Sequence, residues 1–205
     1  MTTQRRARFA TVAFLAVLAL AVTLLAGCGA KTTTTTSAPV PTKGPTALGS
    51  LAIAKSSMAT AAADAKLLVV QTAQAVTPTG TPVWGYLFGS PANDKIWVVY
   101  VANGVSMGAQ EYGTAGLSKT EWAAVPSTDS WKIDSDAAYT KALALSGAKG
   151  APAAYMMGLL TFKPASDTST VEPFVWSVQF DPGVSGATTS AINVDAQTGA
   201  ASLAK

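Results

Sequence analysis

Two short blocks restrict the fold of this chain more than anything else in it. Trp84-x-Tyr86-x-Phe88 and Trp176-x-Val178-x-Phe180 place large apolar side chains at every second position. Alternation of period two puts alternate side chains on one face of an extended strand, so each block is a strand with one buried face. Each is followed by a strand and a glycine turn: Asn103-Gly104 after the first, Thr198-Gly199 after the second. Asn-Gly suits the two positive-φ positions of a tight hairpin. The constraint is therefore antiparallel sheet, stated twice.

The segments around the blocks follow the same order. The first stretch reads as an alanine-rich helix over 48–63, a strand over 66–76, a turn at "TPTGTP", then strands over 83–88 and 95–101, the hairpin, and a last strand at "VSMGAQEY". A single long helix running to residue 76 is the competing reading of its start. The second stretch opens at Trp131. Asp134 or Ser135 caps a helix, with Asp136 in its first turn and Ile133 as a staple. Ala138, Ala142 and Leu145 share a face of that helix, and Gly147 ends it. Strands follow at 153–162 and 173–180, and in "SAINVDAQTGAASL". We read this as an internal duplication, α-β-β-β(-β) twice, in the α+β class. It makes either two small domains or one longer antiparallel sheet with both helices on a single face.

The start of the chain is of another kind. Arg5, Arg6 and Arg8 precede the apolar run "FATVAFLAVLALAVTLLAG", which ends at Leu25-Ala26-Gly27-Cys28. A charged n-region, an apolar h-region and small residues form an export signal, with an uncleaved membrane anchor as the alternative. Leu-Ala-Gly-Cys resembles the bacterial lipobox. That resemblance implies cleavage before Cys28 and acylation of its thiol, with palmitate-like chains anchoring the protein to the extracytoplasmic face of a membrane. Two acyl chains suffice for a stable anchor, whereas one is marginal. Cys28 is the only cysteine, so no disulfide framework is available. Residues 29–47, rich in Thr, Ser, Pro and Gly, bury too little to order themselves and read as a tether reaching roughly 60 Å at ~3.3 Å per residue.

The expected organisation is a signal peptide over 1–27, the lipidated cysteine and linker over 28–47, a first repeat over 48–112, a connecting loop over 113–130 and a second repeat over 131–205. Of fourteen cationic residues, the three arginines precede the apolar run, leaving eleven lysines against eleven carboxylates. Those lysines are scattered, so no basic patch for nucleic acid is expected.

The second stretch resembles a PepSY domain, on "WKIDSDAAYTKAL", "FVWSVQF" and above all "INVDAQTGA", residues 192–200. The first matches only in outline, with "VWGYLF" and then "VANG" where Asp-Ala-x-Thr-Gly would stand. The resemblance implies a non-catalytic module that binds a protein or peptide and restrains or regulates a peptidase. It supplies no catalytic residues.

The chemistry available is narrow. The chain has no histidine, so no Ser-His-Asp triad is possible and zinc and haem lose their usual ligands. No cofactor and no metal are expected. Ser146-Gly-Ala-Lys149 matches S-x-x-K without its companion motifs and reads as the end of a helix. Asp129, Asp134 and Asp136 could serve a carboxylate enzyme or bind calcium, but turn and cap roles fit them better. Asp195 is expected to bond its own turn. Trp84 and Trp176 are expected in the core. Trp122 and Trp131, which flank "AAVPSTDS", are the candidate binding residues if exposed, and core aromatics otherwise. Envelope binding of a small ligand, or a purely structural role, is the alternative to peptide binding.

Overall fold

The computed structural model describes residues 45–146, 152–168, 171–181 and 191–204. The leader, Cys28, most of the tether, the expected helix end at Gly147 and Lys149 lie outside them.

The described residues form one eight-stranded sheet, antiparallel throughout, with strand order β4-β3-β2-β1-β5-β6-β7-β8. Helix α1 (Ala47–Ala61) precedes β1 (Lys66–Thr72), β2 (Val83–Ser90), β3 (Lys95–Ala102) and β4 (Val105–Thr114). A short helix α2 (Lys119–Ala124) and a 3-10 turn at Thr128–Ser130 lead to α3 (Ser135–Ser146). Then come β5 (Ala154–Leu160), β6 (Val175–Asp181), β7 (Ala191–Asp195) and β8 (Ala201–Leu203). Each half is thus a helix followed by a four-strand meander. The halves join where β1 pairs with β5, Val70 opposite Leu159.

The register shows why both helices cover one face. A single row crosses all eight strands: Ala109, Val99, Tyr86, Val70, Leu159, Trp176, Val194 and Ala201. Its six middle members are completely or almost completely buried. Helix α1 lies on this face, where the Tyr86 hydroxyl donates to the Ala47 carbonyl at 2.6 Å. Helix α3 lies on it too, with the Tyr139 ring 4.6 Å from Tyr155 and 5.6 Å from Phe180. One hydrophobic core therefore serves both halves. Burying each large side chain in it is worth about 1.5–3 kcal/mol. Of the two arrangements the sequence allowed, the chain adopts the single sheet.

Asn103 and Gly104 have φ of 51° and 75°, so this turn carries the two positive-φ residues expected of it. Three boundaries differ from expectation. The first strand stops at Thr72, and beyond it only Val76 bridges, to Tyr155. Strand β4 runs ten residues and is irregular at two places against β3. The stretch 113–130 is not merely a loop, because α2 lies within it. Its signature, Ser118-x-x-Glu121, is a capping box legible in the sequence: the Ser118 hydroxyl accepts from the Glu121 N–H, and the Glu121 carboxylate accepts from the Ser118 N–H.

Candidate functional site

The expected binding aromatics are core residues. Trp122 is 5% exposed and Trp131 is 3% exposed, so they form no exposed patch. Trp122 packs with Leu68 and Val125 in a second cluster, over β1 and β2 on the sheet face away from the helices. Its ring occupies the space over Gly89, where an added Cβ would lie 2.4 Å from Cη2. Trp131 packs edge-on to Trp176, with centroids 5.6 Å apart. The length of the connecting stretch gave no sign that its aromatics fold inward; the sheet faces they cover are assembled from strands distant in sequence.

The core tryptophans show how the halves are stitched. Trp84 Nε1 donates to the Pro45 carbonyl at 2.8 Å, two residues before α1 begins. Trp176 Nε1 donates to the Ile133 carbonyl at 2.9 Å, two residues before α3 begins. The two indoles meet edge to face at 6.2 Å. Trp131 Nε1 also donates to the Ile133 carbonyl.

The carboxylates have structural partners. Asp134 Oδ1 accepts from the Leu48 N–H at 2.8 Å and from the Ser135 N–H. Ser135 Oγ accepts from the Ala47 N–H at 3.0 Å. The first N–H groups of a helix have no partner within it, and the start of α3 supplies partners for the start of α1. Asp136 Oδ1 accepts from the Ala137 N–H. Asp129 lies in the first turn of the 3-10 segment. Asp195 Oδ1 accepts from the N–H groups of Gln197 and Thr198, both at 2.8 Å, which holds its carboxyl below the usual carboxylate range against a smaller opposing effect of burial. The turn it shapes also anchors the entry to α3, since the Ala196 carbonyl accepts from the Lys132 and Ile133 N–H groups. Among the described residues no three acidic, His or Cys side chains converge as a metal site.

Two further carboxylates, which the sequence did not single out, act in the same way. Burial opposes the charge of Asp64, yet bonds from Ser90 Oγ and the Ala92 N–H outweigh it and lower its pKa. The Ser118 N–H and hydroxyl hold Glu121 low. Burial, with help from the neighbouring Tyr139, pushes the Tyr155 phenol up to about 12.

What remains open to a partner is backbone. The sheet has two edges, three-residue β8 and ten-residue β4. Of five large apolar side chains exposed among the described residues, Val105, Met107 and Tyr112 are on β4, which makes it the candidate interface.

No protein-family model matches the chain, and no curated protein matches it. A solved structure of a "putative lipoprotein" from Clostridium difficile 630 is similar to it at a TM-score of 0.46 and 11% identity, covering 83% of this chain and 93% of that one. Among the described residues no helix is long and apolar enough to cross a membrane.

Proposed function

We propose that this chain is a lipid-anchored, non-catalytic protein of the extracytoplasmic membrane face that binds an extended protein or peptide segment along β4. The observation that carries the reading is the β4 edge. An edge strand presents unpaired N–H and C=O groups to which an extended segment adds as a further strand, with side-chain contacts selecting it. Val105, Met107 and Tyr112 would supply those contacts. The anchor is Cys28, on the strength of Leu25-Ala26-Gly27-Cys28 after a charged and an apolar stretch.

The matching element order of the halves, and the paired indole bonds ahead of α1 and α3, support an internal duplication. The second copy is the PepSY-like one, through its Asp195 turn. On that reading the bound segment belongs to a peptidase, whose activity the protein restrains.

The test uses the full chain in detergent micelles, with thermolysin as probe and a fluorogenic peptide as its substrate. The expected result is slowed hydrolysis, relieved by Met107→Pro, while Gln179→Pro on an interior strand is scored only for folding. Hydrolysis unchanged by the wild-type chain removes the peptidase role. Inhibition that persists in a folded Met107→Pro chain removes β4 as the interface. For the anchor, the N-terminal peptide of membrane-extracted protein is expected to carry acyl mass on Cys28 and to lose it in Cys28→Ala.

A further inference from the structure

Strand β4 breaks register with β3 twice, and an exposed apolar side chain stands at each break. Trp97 pairs with Glu111 and Ile96 with Gly113, so Tyr112 is an extra residue with no partner across the ladder. Further along, Val99 pairs with Ala109 and Val101 with Ser106, so Met107 and Gly108 both stand opposite Tyr100. An extra residue of this kind is a β-bulge, which bends the strand and re-aims a side chain. Met107 and Tyr112 are 59% and 57% exposed.

Both ends of the strand are tied back. The Ser106 hydroxyl accepts from the Gly108 N–H at 3.0 Å and from the Ser57 hydroxyl of α1 at 2.7 Å. Gly108 has φ of 85°, which glycine adopts without strain. Past Thr114, the Asp94 carbonyl accepts from the Ala115 N–H, and its carboxylate accepts from the Gly116 and Leu117 N–H groups. These four N–H groups are already bonded and are not offered to a further strand. Between the bulges, Ala109, Gln110 and Glu111 keep a regular register opposite Val99, Val98 and Trp97. Glu111 is paired with Lys95 at 2.7 Å, so no unpaired charge stands in this window.

We propose that the β4 edge accepts only a short, uncharged extended segment, bonded through Ala109–Glu111 and gripped at its two ends by Met107 and Tyr112. This rests on the reading of β4 as the interface and specifies what that interface selects. Three residues at ~3.3 Å each span about 10 Å. Alternate residues of a strand turn their N–H and C=O to opposite sides, so at most two of the three face outward. Each such bond contributes little net free energy, because it replaces a bond to water. Apolar contact must therefore hold the segment, and Met107 and Tyr112 supply it, one at each bulge. The ligand is a segment of about five residues with an apolar side chain at each end. The same bulges stop a longer strand, or β4 of another copy, from pairing along the whole edge.

The test follows backbone amide chemical shifts of the full chain in detergent micelles, with synthetic peptides as probes. Acetyl-Leu-Thr-Thr-Thr-Leu-amide is expected to shift the amides of Ala109, Gln110 and Glu111. Replacing both leucines by serine is expected to weaken binding about tenfold or more, and so are Met107→Ser and Tyr112→Ser in the protein. Leu203→Ser, exposed on the opposite edge, is expected to leave binding unchanged. Extending the peptide by two threonines at each end is expected to change its affinity by less than about threefold. A larger gain from the longer peptide, with shifts running from Val105 to Thr114, overturns the proposal and leaves β4 as the interface. Equal binding of the leucine and serine peptides overturns the grip by Met107 and Tyr112. Shifts from no peptide anywhere on β4 remove the interface itself, and this inference with it.

Discussion

The two halves of the sheet are alike on the face they share and unlike on the face they present. Inward, Trp84, Tyr86 and Phe88 on β2 correspond to Trp176, Val178 and Phe180 on β6, and each tryptophan bonds the carbonyl two residues before its half's helix. Outward, Leu87, Val98 and Tyr100 in the first half face the space that Ser177, Gln179 and Asn193 face in the second. A buried face is held to its pattern by packing, because deleting core volume costs stability directly. An outer face has no such requirement and is free to take up or lose a partner.

The strongest way to break the likeness is Trp84→Ala against Trp176→Ala. Each is expected to cost about 3–5 kcal/mol, and each to leave a single transition in denaturant followed by far-ultraviolet circular dichroism. The rings touch and one core serves both halves, so neither half should melt alone. Two separate transitions would make the halves independent units. Smaller, and unequal in its two arms, is Gly89→Ala against Gly158→Ala. At Gly89 the new methyl collides with Trp122, costing about 1–3 kcal/mol. At Gly158 it meets Gln71 Cβ at 3.4 Å and the Val70 carbonyl oxygen at 3.6 Å, both ordinary contacts, and little change in denaturation midpoint is expected. Equal effects would mean that the cluster under α2 is as open as the second half's outer face.

The smallest effect concerns acid. Asp64 and Glu121, in the first half and its extension, and Asp195 in the second have folded-state pKa values below their ordinary ones. The unfolded chain then binds more protons, so stability rises with pH through this window. Their contribution is full above about pH 4–5 and is lost as pH falls through the folded values. Asp195→Asn, which keeps an acceptor for the turn, is expected to flatten that acid limb in denaturation midpoints from pH 2 to 6. An unchanged limb would assign the acid sensitivity to the first half's carboxylates alone.

The strands, the hairpin at Asn103-Gly104 and the core roles of Trp84 and Trp176 were legible because they are local: period two, a turn dipeptide, a helix cap. The capping box at Ser118 and Glu121 was equally local and marks a helix inside what composition alone suggested was a loop. Trp122 and Trp131 were legible only as a choice between an exposed binding pair and aromatics packed onto the sheet; the second fitted better and is what burial shows, but not what they would pack on. An aromatic in a connecting segment is core or surface depending on which distant strands lie beneath it, and Gly89 and Leu68 lie far from Trp122 in sequence. Asp134 was legible as a cap, but the helix it reaches across to was not.

By itself the sequence determined antiparallel strands with one buried face, the helix ahead of each set, and a chemistry without histidine or disulfides. Those properties depend on neighbours along the chain and on residue type. Only the tertiary structure decided that β1 pairs with β5 to make one sheet, that the start of α3 caps the start of α1, and that Trp122 covers Gly89 on the outer face of β2. Each of these is a contact between segments remote in sequence, set by register and packing across the assembled sheet.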